Sequence, residues 1–342
     1  MPKLSPRVAN NYMLLSILLG NAFIFFVFAA ANLLRQAGVG AAGLMFAPGV
    51  PLVIGQISVT LLPFAVYLAV TGQRVRDVIP CRPVGLLNLG MITLITITVM
   101  PLASMLAVLT MLVLGIGNNV GEIVGDVLRT GLGFAFVVIV LVPSVFEEIA
   151  LRGVVLSNYR NVDTHKAALV NGLFFGIFHL NPIQFLYAFL LGYVFALLVI
   201  YTRSIFAAIF AHLVFNGSQV LLSFLAQVYL QAVGETVYIP DMTSPDMLLT
   251  SLRSYGIIAA IFTPVLIILL KSFRDINKRR FFREEFGTRY ADNTPPVSRD
   301  TGEMALPPYG NDADTDRDSG RIVTASFVLM VVMYIIFAAV VI

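Results

Sequence analysis

Two adjacent glutamates, Glu147 and Glu148, lie inside the apolar run 131–156 (GLGFAFVVIVLVPSVFEEIALRGVVL), and Arg152 follows four residues behind the second. A carboxylate at the depth of a hydrocarbon core is expensive unless it is paired, protonated or turned toward a polar cavity. Two imidazoles, His179 and His212, sit in other apolar stretches, and Asn216 follows His212 at helical spacing. Carboxylate plus imidazole is a kit for activating water: Glu as general base, His as a second base or ligand. An Asn amide beside a His can donate to an oxyanion. With a metal bound, Glu147, His179 and His212 would supply the three protein ligands of an open hydrolytic zinc centre. The sequence holds no HExxH, which excludes a zincin helix, and no GxSxG, which removes the usual sign of a serine elbow.

Helical spacing separates the two glutamates. Glu148 and Arg152 stand i,i+4 and share a face, which lowers the cost of burying both. Glu147 is turned by about 100° from Glu148 and points elsewhere. His212 with Asn216, and Phe175 with His179, repeat the i,i+4 spacing. Each piece also has a plainer reading. A histidine in a span is often a hydrogen bonder between helices, and Glu148 with Arg152 alone reads equally as a structural buried pair. His165 reads as a solvated loop residue. Asn216-Gly217-Ser218 forms a glycosylation sequon that burial would keep out of use. The joint order EExxxR, FxxxH, HxxxN is harder to assign to chance.

The elements that must position these groups are membrane spans. Of 342 residues, 58% are hydrophobic and 12% charged, about half the charged share of a soluble domain; mean hydropathy is +0.89. Apolar runs near the roughly 20 residues that cross a bilayer recur throughout. Nine candidate spans result: 12–34, 50–70, 87–115, 131–156, 167–181, 185–201, 204–230, 255–272 and 322–342, with a kink expected at Pro101 in the third. The expected fold is an all-α, polytopic transmembrane bundle of eight to nine spans enclosing an intramembrane cavity. The first run is too long for a signal-peptide core and reads as a retained span. The single Cys81 excludes an intrachain disulfide and a cysteine metal cluster.

Threading the spans with the N-terminus cytoplasmic puts every Lys and Arg except Arg35, Arg129 and Arg253 on the inner side, and the last span ends outside. The basic pI near 9.0 follows from that asymmetry and does not call for nucleic acid. Counting about 1.5 Å per residue from the span ends places Glu147, His179 and His212 roughly 12–18 Å deep, in one layer. The chain then divides into N-terminal spans 1–124, a core 125–235, an outer loop and eighth span 236–273, a flexible cytoplasmic linker 274–321, and a C-terminal span 322–342 that looks appended. The basic stretch 271–289 reads as a stop-transfer flank or as a clamp on anionic lipid.

Phe146-Glu147-Glu148-Ile149-Ala150-Leu151-Arg152-Gly153, Phe175-Gly176-Ile177-Phe178-His179 and His212-Leu213-Val214-Phe215-Asn216 together resemble the three motifs of the CPBP intramembrane proteases. That family includes type II CAAX prenyl endopeptidases, Abi proteins and lysostaphin-resistance-like proteins. The resemblance implies a cavity open to cytoplasm and membrane. It implies Glu147 as general base helped by His179, His212 and Asn216 as oxyanion donors, and Glu148 and Arg152 as support. Both a zinc enzyme and a metal-independent glutamate protease suit these residues. The partners expected are membrane lipid and a membrane-associated peptide or protein, either a prenylated CAAX end or a leader peptide. The competing classes are an ion- or proton-coupled transporter, against which the lack of paired broken repeats counts, and a catalytically silent immunity or scaffold protein.

Overall fold

The computed structural model describes residues 4–117, 120–233, 244–286 and 322–341. Apolar sequence without polar interruption folds as helix in lipid, because only a helix satisfies its own backbone there. All nine candidate spans are helical: α1 (Pro6–Gln36), α2 (Val50–Thr71), α3 (Leu86–Leu114), α5 (Leu132–Asn158), α6 (Thr164–Phe178), α7 (Pro182–Thr202), α8 (Ile205–Val233), α9 (Pro245–Phe286) and α10 (Ala325–Val341). A short amphipathic helix, α4 (Val120–Arg129), precedes α5. Seven of these are long and apolar enough to cross a membrane, which makes this a multi-pass integral membrane protein. The fifth and ninth candidates, α6 and α10, are shorter at 15 and 17 residues. Helix α3 continues through Pro101.

Among the described residues three π-helical segments interrupt the α geometry: Ile57–Leu61 in α2, and Phe136–Leu141 and Ile149–Val155 on either side of the glutamates in α5. A π turn moves the backbone ladder from i−4 to i−5 and leaves carbonyls for other donors. Both segments of α5 are served by an asparagine of a neighbouring helix. Asn216 Nδ2 donates to Ile139 O at 3.1 Å, and Asn171 Nδ2 to Leu151 O at 2.8 Å.

Helices α6 and α7 form a tight hairpin. Asp163 caps α6 through His165 and Lys166 N–H, and Asn181 caps α7 through Ile183 and Gln184 N–H. Glycines set the approach. A Cβ at Gly172 would come 2.5 Å from Phe189 O, one at Gly176 2.9 Å from Phe185 O, and one at Gly192 2.7 Å from Gly172 Cα. Small residues at such positions let helix backbones close in a membrane. Leu180, in the hairpin turn, takes a left-handed φ of 43°.

The two outermost assignments from sequence need correction. Residues 274–286 continue α9 rather than belonging to a linker: Asn277 is buried and exchanges amide hydrogen bonds with Asn88 of α3 at 2.9 and 3.1 Å. The remainder of the proposed linker, 287–321, lies outside the described residues, as does 236–243 of the outer loop. Nor is the final helix an appendage. Buried Asn10 of α1 donates to Ile322 O and Thr324 Oγ1, both at 2.9 Å. Tyr334 stacks on Phe185 at 4.9 Å and Phe327 meets Phe174 at 5.7 Å.

Candidate active site

Between the two π segments of α5, residues Val142–Glu148 return to α geometry, so Glu147 and Glu148 leave the helix on different faces. Both side chains are buried, at 6% and 0% exposure. Glu148 Oε1 accepts from Arg152 Nη1 at 2.9 Å, the pair expected from the i,i+4 spacing. The same oxygen also meets His212 Nδ1 at 2.9 Å. A carboxylate oxygen accepts, so Nδ1 carries the hydrogen and Nε2 of His212 faces the other way. There it stands 4.0 Å from Glu147 Oε2.

Arg152 is fully buried yet well held. Its Nη2 donates to Gly192 O at 3.2 Å, and its guanidinium lies over Phe175 and Phe195 at 4.6 and 5.5 Å from the ring centroids. Arg is suited to this because its planar, weakly hydrated cation both stacks and bonds. The close hairpin brings Gly192 into reach. A side chain there would strike Phe175 Cβ at 2.9 Å. Phe175 and Phe195 also flank His212, at 5.9 and 5.7 Å.

Glu147 faces a different partner. Its Oε1 accepts from Gln56 Nε2 of α2 at 2.6 Å, a residue that sequence reasoning passed over. The available signal was a single amide in the apolar run 50–70. Glu147 Oε2, Glu148 Oε2, Gln56 Oε1 and Arg152 Nε are buried without a hydrogen-bond partner among the described residues.

His179 closes α6. Its Nδ1 lies 2.8 Å from Phe175 O, and since a carbonyl only accepts, Nδ1 donates and Nε2 carries the lone pair. Its ring packs edge-on against Phe175 at 4.8 Å, so one phenyl touches His179, His212 and Arg152. Asn216 lies one turn beyond His212 on α8, with its amide engaged on Ile139 O. His165, read from sequence as a solvated loop residue, instead lies in the first turn of α6, exposed but with its Nδ1 2.7 Å from Tyr193 Oη. The structure thus joins Glu147, Glu148, Arg152 and His212 in one network, brings His179 to its edge through Phe175, and turns one Asn216 donor onto α5.

A three-ligand zinc centre would need Glu147, His179 and His212 to converge on one point. Among the described residues no three His, Cys, Asp or Glu side chains group so as to hold a metal ion. Glu147 and His212 face each other, but His179 does not complete the triad. The arrangement of the described residues does not fit a three-ligand centre. A cavity of about 190 Å³ is lined by Arg82, Pro83, Asn88, Thr202, Arg280 and Phe281, none of which belongs to the Glu147 network.

No curated protein and no solved structure matches this chain. Residues 129–218 do match the family model of the type II CAAX prenyl endopeptidase Rce1-like proteins. The matched segment contains Glu147, Glu148, Arg152, His179, His212 and Asn216, and runs from the end of α4 into α8. Over this stretch the chain is thus similar to the Rce1-like family model, in keeping with the resemblance carried by its three motifs.

Proposed function

We propose that this protein is an intramembrane endopeptidase in which Glu147 activates the water that hydrolyses a peptide bond near the cytoplasmic face. The observation that supports this best is the buried Glu147–His212–Glu148–Arg152 array inside the Rce1-like segment. A buried ionisable array of this kind is costly to build without a chemical use. Its substrate is a membrane-associated peptide ending in a prenylated CAAX-type sequence, in line with the family matched. In this reading the N-terminus and the 74–82 segment face the cytoplasm, which the distribution of basic residues supports.

In this scheme Glu147 Oε2 takes a proton from water as the water oxygen adds to the peptide carbonyl carbon. His212, oriented through Nδ1 by Glu148, presents Nε2 on the same side and donates to the oxyanion when it carries its second proton. His179, which packs on Phe175 beside His212, serves in this scheme as the second base of the site. The proton on Glu147 then passes to the leaving nitrogen as the C–N bond breaks, giving an acid and an amine. Glu148 and Arg152 hold His212 and take no proton.

The test is cleavage of a farnesylated CAAX peptide by purified protein in detergent, with an unprenylated leader-type peptide in parallel. Wild type cleaves the first, and Glu147→Ala and His179→Ala do not. Unchanged activity in both variants would remove the mechanism, and preference for the second peptide would replace the substrate. Activity that survives chelation is expected. Loss on chelation with return on adding zinc would overturn the metal-free scheme.

A further inference from the structure

We infer that Gln56 is a positioning residue of the same site, holding Glu147 through one amide group and sharing with it the two acceptors that seat the attacking water. This rests on the protease reading above and adds to it a residue from outside the Rce1-like segment.

The stretch Gln56–Thr60 carries three polar side chains, Gln56, Ser58 and Thr60. Two of them are spent locally. Ser58 Oγ donates to Ile54 O at 2.6 Å, and Thr60 Oγ1 to Gln56 O. Gln56 is the member that reaches another helix, donating from Nε2 to Glu147 Oε1 at 2.6 Å. That bond fixes one carboxylate oxygen and leaves Oε2 turned to His212 Nε2 at 4.0 Å. Gln56 Oε1 and Glu147 Oε2 are both buried and unpartnered among the described residues. Two acceptors on hydrogen-bonded neighbours suit the two O–H bonds of one water, whose lone pair then points away from both.

The backbone holds this arrangement firmly. The π turn Ile57–Leu61 begins directly after Gln56, and α1 presses against it so closely that a Cβ on Gly20 would stand 2.7 Å from Val59 Cα. Without Gln56 the carboxylate could rotate, and misplacement of a reacting group by about 1 Å costs on the order of 100-fold in rate.

Two measurements test this together. In the cleavage assay with the farnesylated peptide, Gln56→Met, similar in shape but without a donor, is expected to lower kcat by about 10- to 100-fold and leave KM within about twofold. Gln56→Asn, too short to reach, falls in kcat likewise. In detergent melts, Gln56→Met is expected to lower Tm by about 2–4 °C in the Glu147 background and not in Glu147→Leu, which reads the contact without any substrate. An unchanged kcat, or a loss expressed in KM alone, overturns the positioning role. Additive melting shifts overturn the contact itself. If wild type cleaves neither peptide while the melts still couple, the protease reading and the role built on it fall but the contact stands.

Discussion

Two buried polar clusters in this bundle are built on opposite terms. One joins Asn10, Asn158, Tyr159 and Tyr67: Tyr159 Oη donates to Asn10 Oδ1 at 2.7 Å, Asn158 Nδ2 to Tyr67 Oη at 3.2 Å, and Ser5 N to Asn158 Oδ1 at 3.1 Å. Its members are neutral, and each of these four side chains has its partners. The other joins Gln56, Glu147, Glu148, Arg152 and His212, is charged, and keeps buried atoms without partners. Buried polar groups are normally satisfied, so the first cluster reads as a fastening between α1, α2, α5 and α10. The second retains unspent donors and acceptors in a low-dielectric setting, where a hydrogen bond to a reacting molecule counts for most. Satisfaction, rather than burial or polarity, separates the two.

The contrast breaks most sharply at Glu147. Glu147→Gln is expected to cut turnover by about 10²–10⁴-fold, the usual contribution of a general base, while the melting transition keeps its place. Turnover is read with the farnesylated peptide and folding by thermal denaturation in detergent. Next comes Arg152→Met, which strands Glu148 in the core and is expected to cost about 3–5 kcal/mol of stability, seen as lost folded protein before any kinetic effect is measured. In the neutral cluster, Asn10→Leu leaves Tyr159 Oη, Ile322 O and Thr324 Oγ1 short of a partner and is expected to cost about 1–3 kcal/mol. Its turnover per folded molecule should equal wild type, and a selective loss of turnover would erase the distinction between the clusters.

The smallest effect belongs to a pair outside both. Arg74, at the N-cap of the short exposed helix Val75–Val78, donates to Asp77 at 2.7 Å and, by that hydrogen bond, holds the Asp77 carboxyl below the usual carboxylate range. A carboxyl lowered on folding adds stability above its unfolded pKa and loses it as pH falls through the folded value. Asp77→Asn should therefore lower melting at neutral pH only slightly, because the pair is exposed, and converge with wild type as the pH falls. A neutral-pH shift comparable to that of Asn10→Leu would show that exposure does not discount the bond.

Much of this was legible in the residues, for identifiable reasons. Lipid forces apolar runs into helix, so each of the nine spans read from hydropathy falls in a helix, and i,i+4 spacing paired Glu148 with Arg152. What spacing could not show was His212 arriving at the same Glu148 oxygen, since that needs α8 beside α5. Gln56 stayed hidden because a lone amide in an apolar run does not say which helix it meets, whereas the Ser58 and Thr60 hydroxyls bond carbonyls of their own helix. The π segments are equally silent: they shift side chains by a fraction of a turn without altering composition, and they gave Asn216 a backbone partner on Ile139. The extension of α9 over 274–286 was masked by charge, because a basic stretch past a span reads as loop until Asn277 is seen paired with Asn88.

The bond between Asn10 and Ile322 spans 312 residues of sequence. Helices enter a membrane in order of synthesis, N-terminal first, so α1 must be in place long before the segment that completes its polar edge has been made. Contacts between such distant parts of a chain form slowly, because the loop they close is long. During that interval the amide of Asn10 has to be carried by water or by a chaperoning surface at the membrane boundary. A chain truncated before Ile322 would leave the Asn10 amide without the two acceptors it has in the finished bundle.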